Sequence, residues 1–103
     1  MLHAEKEIAS TLINSALLRG WSVSVCDDGL ESGGDWTVLR STDFQTIFNA
    51  LATTGSDLLV FRDGGKNKGC VVLVWGNDED LIHDHSASLE MDEDGCIIHP
   101  EFA

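Results

Sequence analysis

The sequence is short of positive charge, and this shortage excludes several classes of protein. Only six Lys and Arg residues stand against 18 Asp and Glu residues, which gives a formal net charge of −12. A protein that neutralises phosphates needs a basic surface, so we expect no direct contact with nucleic acid or with an anionic membrane. The 103 residues predict one domain, with a core in 1–75 and an acidic C-terminal segment in 76–103.

Paired cysteines and long apolar runs are also missing. The three cysteines (Cys26, Cys70 and Cys96) are odd in number and have no paired spacing, so the sequence implies no disulfide framework. The longest strongly apolar run, 70–75, is far too short to span a membrane. The first seven residues lack the basic flank and apolar stretch of a signal peptide. These features predict a cytoplasmic protein with reduced thiols.

The sequence does contain a helix followed by two strands, and this pattern occurs twice. Apolar residues at helical spacing predict a first helix over 2–19. Alternating apolar and polar residues then predict strands over 21–26 and 36–40. A second helix over 43–53 follows, and two apolar strands are predicted over 58–62 and 70–75.

The start and the buried face of the second helix are the clearest local signals. Thr42 and Gln45 fit a capping box, and Asp43 adds a carboxylate at the positive end of the helix. The core face has the spacing i, i+3, i+4, i+7, occupied by Phe44, Ile47, Phe48 and Leu51. The sequence contains three tryptophans, Trp21, Trp36 and Trp75. We expect most of them to lie in the core as well, and one of them is a candidate exposed anchor for a partner.

The order of elements predicts an α+β fold. Two helices would cover one face of a four-stranded, mainly antiparallel sheet, in the order α-ββ-α-ββ. The last 28 residues hold nine of the 18 acidic residues and no Lys or Arg. We expect this segment to form a less regular acidic flap that is tied to the sheet.

The acidity suggests that the protein imitates nucleic acid. Carboxylates in the C-terminal segment and in the 27–35 loop can be spaced like DNA phosphates, one charge per roughly 1.7 Å of duplex axis. They would then occupy the basic groove of a nuclease, a repressor or an RNA-guided complex. The alternative is that the acidity only keeps the protein soluble. The candidate residues are Asp27, Asp28, Glu31, Asp78, Glu79, Asp80, Asp84, Asp92, Glu93 and Asp94.

A calcium site is a second hypothesis. The segment 90–101 matches an EF-hand loop at positions 3, 5, 6 and 12, with a hydrophobic residue at position 8. Its oxygen ligands would be Glu90, Asp92, Asp94 and Glu101. Against this site, neither flanking helix is evident and Pro100 stands where the exit helix should begin.

A zinc site is a third hypothesis, because imidazole and thiolate groups suit this metal. The candidate ligands are His83, His85, Cys96 and His99. The two residues His83 and His85 would face the same side of a strand. The alternative is that these polar residues lie at the surface by chance. We expect neither metal to be a cofactor of the protein.

The sequence offers little for catalysis. Cys26 is followed by Asp27 and Asp28, whose charges would raise the pKa of its thiol and leave it unreactive. The glycine-rich segments 29–34 and 63–69 lack the order of residues that phosphate-binding loops need. We therefore expect a protein that is not an enzyme and uses no cofactor.

Three short motifs carry a resemblance to other proteins: Arg40-Ser41-Thr42-Asp43 before a helix, the stretch from Leu58 to Lys66, and Val74-Trp75-Gly76-Asn77. With them, the region 22–77 resembles a group of short bacterial and phage-borne proteins. The resemblance implies a ββαββ core and a mobile-element or accessory-gene setting. It implies no catalytic or binding residues.

Together these observations predict a non-enzymatic acidic protein that binds a larger protein. The specific form of this hypothesis is a phage-type inhibitor of host defence, of the anti-CRISPR or anti-restriction kind, seated in a basic nucleic-acid-binding groove. One alternative is a module that forms a homodimer through an exposed sheet edge or the N-terminal helix. The other is a small calcium or zinc protein.

Overall fold

The protein folds as an α+β domain with a five-stranded sheet and two helices. A computed structural model describes residues 1–27, 36–53, 55–76, 81–86, 89–91 and 95–98. The elements within these ranges are α1 (His3–Leu18), β1 (Ser22–Asp27), β2 (Trp36–Ser41), α2 (Phe44–Asn49), β3 (Ser56–Asp63), β4 (Lys66–Val74), β5 (Ile82–His85), β6 (Glu90–Met91) and β7 (Ile97–Ile98).

The strands of the main sheet follow the order β2-β1-β3-β4-β5, and every neighbouring pair is antiparallel. The expectation of four strands is therefore wrong by one. The fifth strand, β5, comes from the segment expected to form the flap. It joins the sheet because Ile82 pairs with Leu73 and packs against the core.

Both helices cover the same face of the sheet, as predicted. The apolar stripe of α1 is buried against the inward side chains of β1, β3 and β4. Leu12 and Phe61 are fully buried in this layer, and truncating such a side chain to alanine typically costs about 2–5 kcal/mol. The core therefore lies between the sheet and the helices. Along the strands, side chains that point into this core alternate with side chains that point away from it.

The second helix is shorter than predicted and begins one residue later. Its N-cap is Asp43, not Thr42: the Asp43 carboxylate accepts the backbone N–H of Thr46 at 2.9 Å and the Thr46 hydroxyl at 2.6 Å. The Gln45 side chain donates to Asn49, so there is no capping box. The helix ends early because Ala52 adopts a left-handed backbone, φ 59°, which stops a helix.

The opposite face of the sheet is not covered by either helix. On β4, Val71 and Leu73 are buried towards the helices, whereas Val72 and Val74 are only half-buried on the other side. We refer to this side as the outer face. Trp36 lies on it opposite Cys26 and is 40% exposed, so it is the exposed one of the three tryptophans. Trp21 is buried, and Trp75 is half-buried against the core.

The part of the predicted flap that follows β5 contacts α1 in its described residues, whereas β5 itself joins the sheet. The strands β6 and β7 form a separate antiparallel pair. The Ser15 hydroxyl of α1 accepts the backbone N–H of Ile97 at 3.1 Å, and the Arg19 guanidinium donates to the Ile97 carbonyl at 2.5 Å. Gly95, φ 86°, lies so close to α1 that an added Cβ would be 2.9 Å from the Ile8 carbonyl oxygen.

Candidate protein-binding surface

The sheet has two ends that differ in charge. At one end β1 finishes with Asp27, β2 begins with Trp36, and β3 begins at Ser56 opposite the last residue of β4, Val74. We name this the acidic end, and the other end of the strands the basic end.

Two acidic segments of the chain leave from the acidic end. The segment 28–35 connects β1 to β2, and 77–80 lies between the end of β4 and the start of β5. Each carries three carboxylates and no cation, and these are Asp28, Glu31 and Asp35 in the first and Asp78, Glu79 and Asp80 in the second. These candidate residues lie outside the described residues, whereas the strand ends on both sides of them are described.

A third acidic segment lies between the two short strands that pack on α1, and its flanking residues do not both lie at the acidic end, since Met91 pairs with Ile97, which contacts Ser15 and Arg19. It holds Asp92, Glu93 and Asp94, outside the described residues, between Met91 of β6 and Gly95. Gly95 contacts Ile8, in the N-terminal half of α1. The first turns of α1 lie near the acidic end, since Glu5 accepts the backbone N–H of Gly76 just after β4.

The cations gather at the basic end. Arg19 follows α1, Arg40 lies near the end of β2, and Arg62 and Lys66 flank the β3–β4 turn, with Lys68 two residues further on. Lys6, in α1, is the remaining one of the six Lys and Arg residues. The chain thus has two segments of three carboxylates each leaving one end and five of its six fixed cations at the other.

Two buried carboxylates hold the backbone at the acidic end. Glu5 is fully buried and accepts the Leu2 N–H at 2.9 Å as well as the Gly76 N–H at 2.6 Å. Asp57 is also fully buried and accepts the Trp75 indole N–H at 2.7 Å and the Ala52 N–H at 2.9 Å. They fix α1, α2 and the end of β4 relative to one another.

Sequence reasoning missed both of these residues as structural supports. The spacing of Glu5 from the start of α1 fits a side chain that reaches back to the first N–H groups of a helix, so a signal was present. No such local signal marks Asp57, because its partners are Ala52, in the α2–β3 connection, and Trp75, just after β4. Such contacts appear only when the strands are paired.

Among the acidic residues predicted to bind a partner, Asp84 is the one whose side chain the structure describes. It is exposed on β5, pairs with Val72 on the outer face, and accepts the backbone N–H of His85 at 2.8 Å. Among the other candidates, Asp27 occupies the last position of β1. The structure thus places Asp27 at the acidic end and Asp84 partway along the edge strand.

The described residues do not assemble a metal centre. His83 and His85 are exposed on β5, where a register irregularity between Val72 and Leu73 disturbs the pairing beside His83. Cys96 is half-buried beside β7. Within the described ranges, no group of three or more His, Cys, Asp or Glu side chains is arranged to hold a metal ion. The calcium candidates Asp92, Asp94 and Glu101, and the zinc candidate His99, lie outside these ranges, and of Glu90 only the backbone is described.

The helices also bear on membrane insertion. In the part of the chain that the structure describes, neither α1 nor α2 is long and apolar enough to cross a membrane.

Comparison with known proteins adds no relative. No protein-family model, curated protein or solved structure matches this chain. The resemblance to short bacterial and phage-borne proteins therefore stays a prediction.

Proposed function

We propose that this protein is a non-enzymatic binder that inserts its acidic end into the basic, nucleic-acid-binding groove of a larger protein. The observation that carries the proposal is the polarity of the molecule. The described residues that flank two acidic segments, 28–35 and 77–80, lie at one end, and five of the six fixed cations lie at the other. A solubilising charge has no need of such a separation.

The separation of charge has a consequence for association. A cluster of like charges on one end produces a field that attracts and orients a basic partner before contact, which raises the association rate, most strongly at low salt. The carboxylates then meet Lys and Arg side chains that otherwise contact phosphates. The protein competes with nucleic acid for one groove.

The buried carboxylates support this role by fixing the positions from which the acidic segments leave. Glu5 ties α1 to Gly76, and Asp57 ties Ala52 to Trp75. A surface whose supports are already ordered loses less conformational entropy on binding than one that must be ordered by the partner. The acidic segments are thus presented from a rigid base.

The more specific form of the proposal is an inhibitor of bacterial defence that acts in the cytoplasm. Its target would be a nuclease or an RNA-guided complex, of the kind attacked by anti-restriction and anti-CRISPR proteins. This form rests on the resemblance of region 22–77 to phage-borne accessory proteins. The proposal that the protein binds a basic groove rests on charge polarity alone. It is tested separately from the proposal that the target belongs to a bacterial defence system.

The test is affinity capture from a nuclease-treated bacterial lysate, with elution in steps of increasing salt and identification by mass spectrometry. Three variants each reverse one carboxylate in one acidic segment: Glu31→Lys, Glu79→Lys and Glu93→Lys. We expect each to weaken retention of the partner by about three- to tenfold at low salt. The triple variant should abolish retention.

The matched control is Asp63→Lys, which changes the net charge by the same amount at the basic end. Asp63 is exposed at the end of β3, so its reversal should leave both fold and partner retention intact. Equal losses for Asp63→Lys and Glu79→Lys would mean that only the net charge matters. That result would contradict a defined acidic surface.

A further inference from the structure

One aromatic side chain is exposed at the border of the outer face, beside the proposed binding surface. Among the aromatic side chains that the structure describes, Trp36 is the exposed one, with 40% of its surface accessible. Its partner across the strands, Cys26, is fully buried, so the ring lies at the rim of a covered region and not over an open face. An exposed indole is unusual, because tryptophan carries a large apolar surface that is favourably removed from water.

Trp36 stands at the acidic end of the sheet. It is the first residue of β2, and its partner Cys26 comes one position before the last residue of β1. In the chain, Trp36 directly follows the acidic segment 28–35. The strand β4, from whose end the segment 77–80 leaves, is three strands away in the order β2-β1-β3-β4, which is about 14 Å. A contact surface of about 800 Å² per partner therefore covers the ring and the strand ends from which both acidic segments leave.

We propose that Trp36 is the anchor of the acidic end and stacks on an arginine side chain of the partner's groove. This inference rests on the proposed function, and it names the side-chain chemistry that the groove offers in addition to its positive charge. The face of the indole carries partial negative charge and attracts a cation that lies over it. The acidic segments that leave this end draw cations towards it as well, so the two attractions act together.

Arginine fits this contact better than lysine. The guanidinium is planar and weakly hydrated, so it lies flat on an indole and gives up water at small cost, whereas the ammonium of lysine is compact and strongly hydrated. Arginine residues that stack on bases in a nucleic-acid groove offer such a flat face. The chain contains one pairing of this kind within its own fold, since the Arg19 guanidinium lies 5.9 Å from the centre of the Trp21 ring.

A stacked anchor and a charged surface respond differently to salt. Contacts between exposed opposite charges weaken as salt is added, because the ions screen them. The stacked contact also removes apolar surface of the ring from water, and this contribution is not screened. We therefore expect Trp36 to supply a part of the affinity that persists after salt has weakened the contacts of the carboxylates.

The experiment uses two peptides of equal charge, hexa-arginine and hexa-lysine, as stand-ins for the partner's cations. Their affinities for the intact protein are measured by isothermal titration calorimetry at one fixed salt concentration. We expect hexa-arginine to bind more tightly than hexa-lysine, and Trp36→Leu to reduce that preference by about two- to fivefold. Trp36→Phe keeps an aromatic ring and should retain more of the preference than Trp36→Leu.

Two controls separate the ring from its surroundings. Leu39→Ala shortens a side chain that is 64% exposed further along β2, and it should leave the preference for hexa-arginine unchanged. Glu79→Lys should weaken the binding of both peptides and leave the ratio of their affinities unchanged. Circular dichroism checks that each variant folds. An equal preference in the original chain and in Trp36→Leu would overturn the anchor, and so would an equal loss of preference in Leu39→Ala.

The captured partner distinguishes a failure of the anchor from a failure of the proposed function. We expect less duplex DNA to release the partner from Trp36→Leu than from the original chain. Release of the partner from both proteins at the same DNA concentration would uphold the proposed function and overturn the anchor. A partner that binds DNA but is not released by it would contradict the proposed function, and the anchor in a nucleic-acid groove would fail with it.

Discussion

Glu5 and Gly76, 71 positions apart in the chain, are joined by a hydrogen bond of 2.6 Å between a buried carboxylate oxygen and a backbone N–H. The same carboxylate accepts the Leu2 N–H with its other oxygen. One side chain therefore both caps the start of α1 and holds the backbone from which the acidic segment 77–80 leaves. A charge-assisted hydrogen bond of this kind is stronger than one between neutral groups.

Glu5→Gln should destabilise the fold because the amide offers only one oxygen to two N–H donors. One donor then lies buried without an acceptor, which costs about 1–3 kcal/mol. Urea unfolding measures the loss. The control is Glu7→Gln, a change in the same helix at a side chain that is 70% exposed; we expect that control to shift the unfolding free energy by less than about 0.5 kcal/mol. Equal effects would rule out a special role for Glu5.

Ser15→Ala should loosen the β6–β7 pair from α1. The Ser15 hydroxyl accepts the Ile97 N–H, and its removal leaves that donor unsatisfied at a cost of about 1–3 kcal/mol. Hydrogen exchange at the Ile97 amide should become faster. The relative exchange rates of the amides in β3 and β4 should stay unchanged. Ser10→Ala, on the same helix, is the control. Unchanged exchange at Ile97 in Ser15→Ala would contradict the contact.

The cap of α2 should make stability depend on acid. The side-chain and backbone donors of Thr46 hold the pKa of Asp43 below its ordinary value. The folded pKa is therefore lower than the unfolded one, so the ionised cap stabilises the fold above the unfolded pKa. This contribution is lost as the pH falls through the folded pKa.

The expected observation is a difference in Tm between the original chain and Asp43→Ala that is largest near neutral pH and shrinks in acid. Asp43→Asn retains an oxygen acceptor at the cap without the charge, so it isolates the electrostatic part. Thermal melts followed by circular dichroism over a series of pH values measure all three proteins. A difference that stays constant with pH would show that the carboxylate charge does not contribute.

Much of the fold could be predicted from local patterns. The apolar spacing in α1 and the alternation in β1 and β2 correspond to elements that the structure contains within one or two residues of the predicted bounds. The two strands after α2 were also predicted, though both are longer because a hairpin extends pairing to the turn at Gly64 and Gly65. The local periodicity of apolar residues indicates which side of a helix or strand is buried.

The remaining differences arise from contacts between distant residues. Within the fifth strand, Ile82 is the only apolar residue that could signal a strand locally. The segment is a strand because it pairs with β4. The pair β6–β7 depends on Ser15 and Arg19 of α1. The candidate surface is similar: the acidic residues are visible in the sequence, but which strand ends lie together is decided by the order β2-β1-β3-β4-β5.

The central claim is that the acidic end takes the place of nucleic acid in a partner's groove, and competition with duplex DNA tests it most directly. A partner recovered by affinity capture is bound to the immobilised protein, and duplex DNA is added at constant salt. We expect the DNA to release the partner in proportion to its concentration, and Glu79→Lys to lower the amount needed, whereas Asp63→Lys leaves it unchanged. A partner that binds the DNA and stays on the protein would contradict the claim.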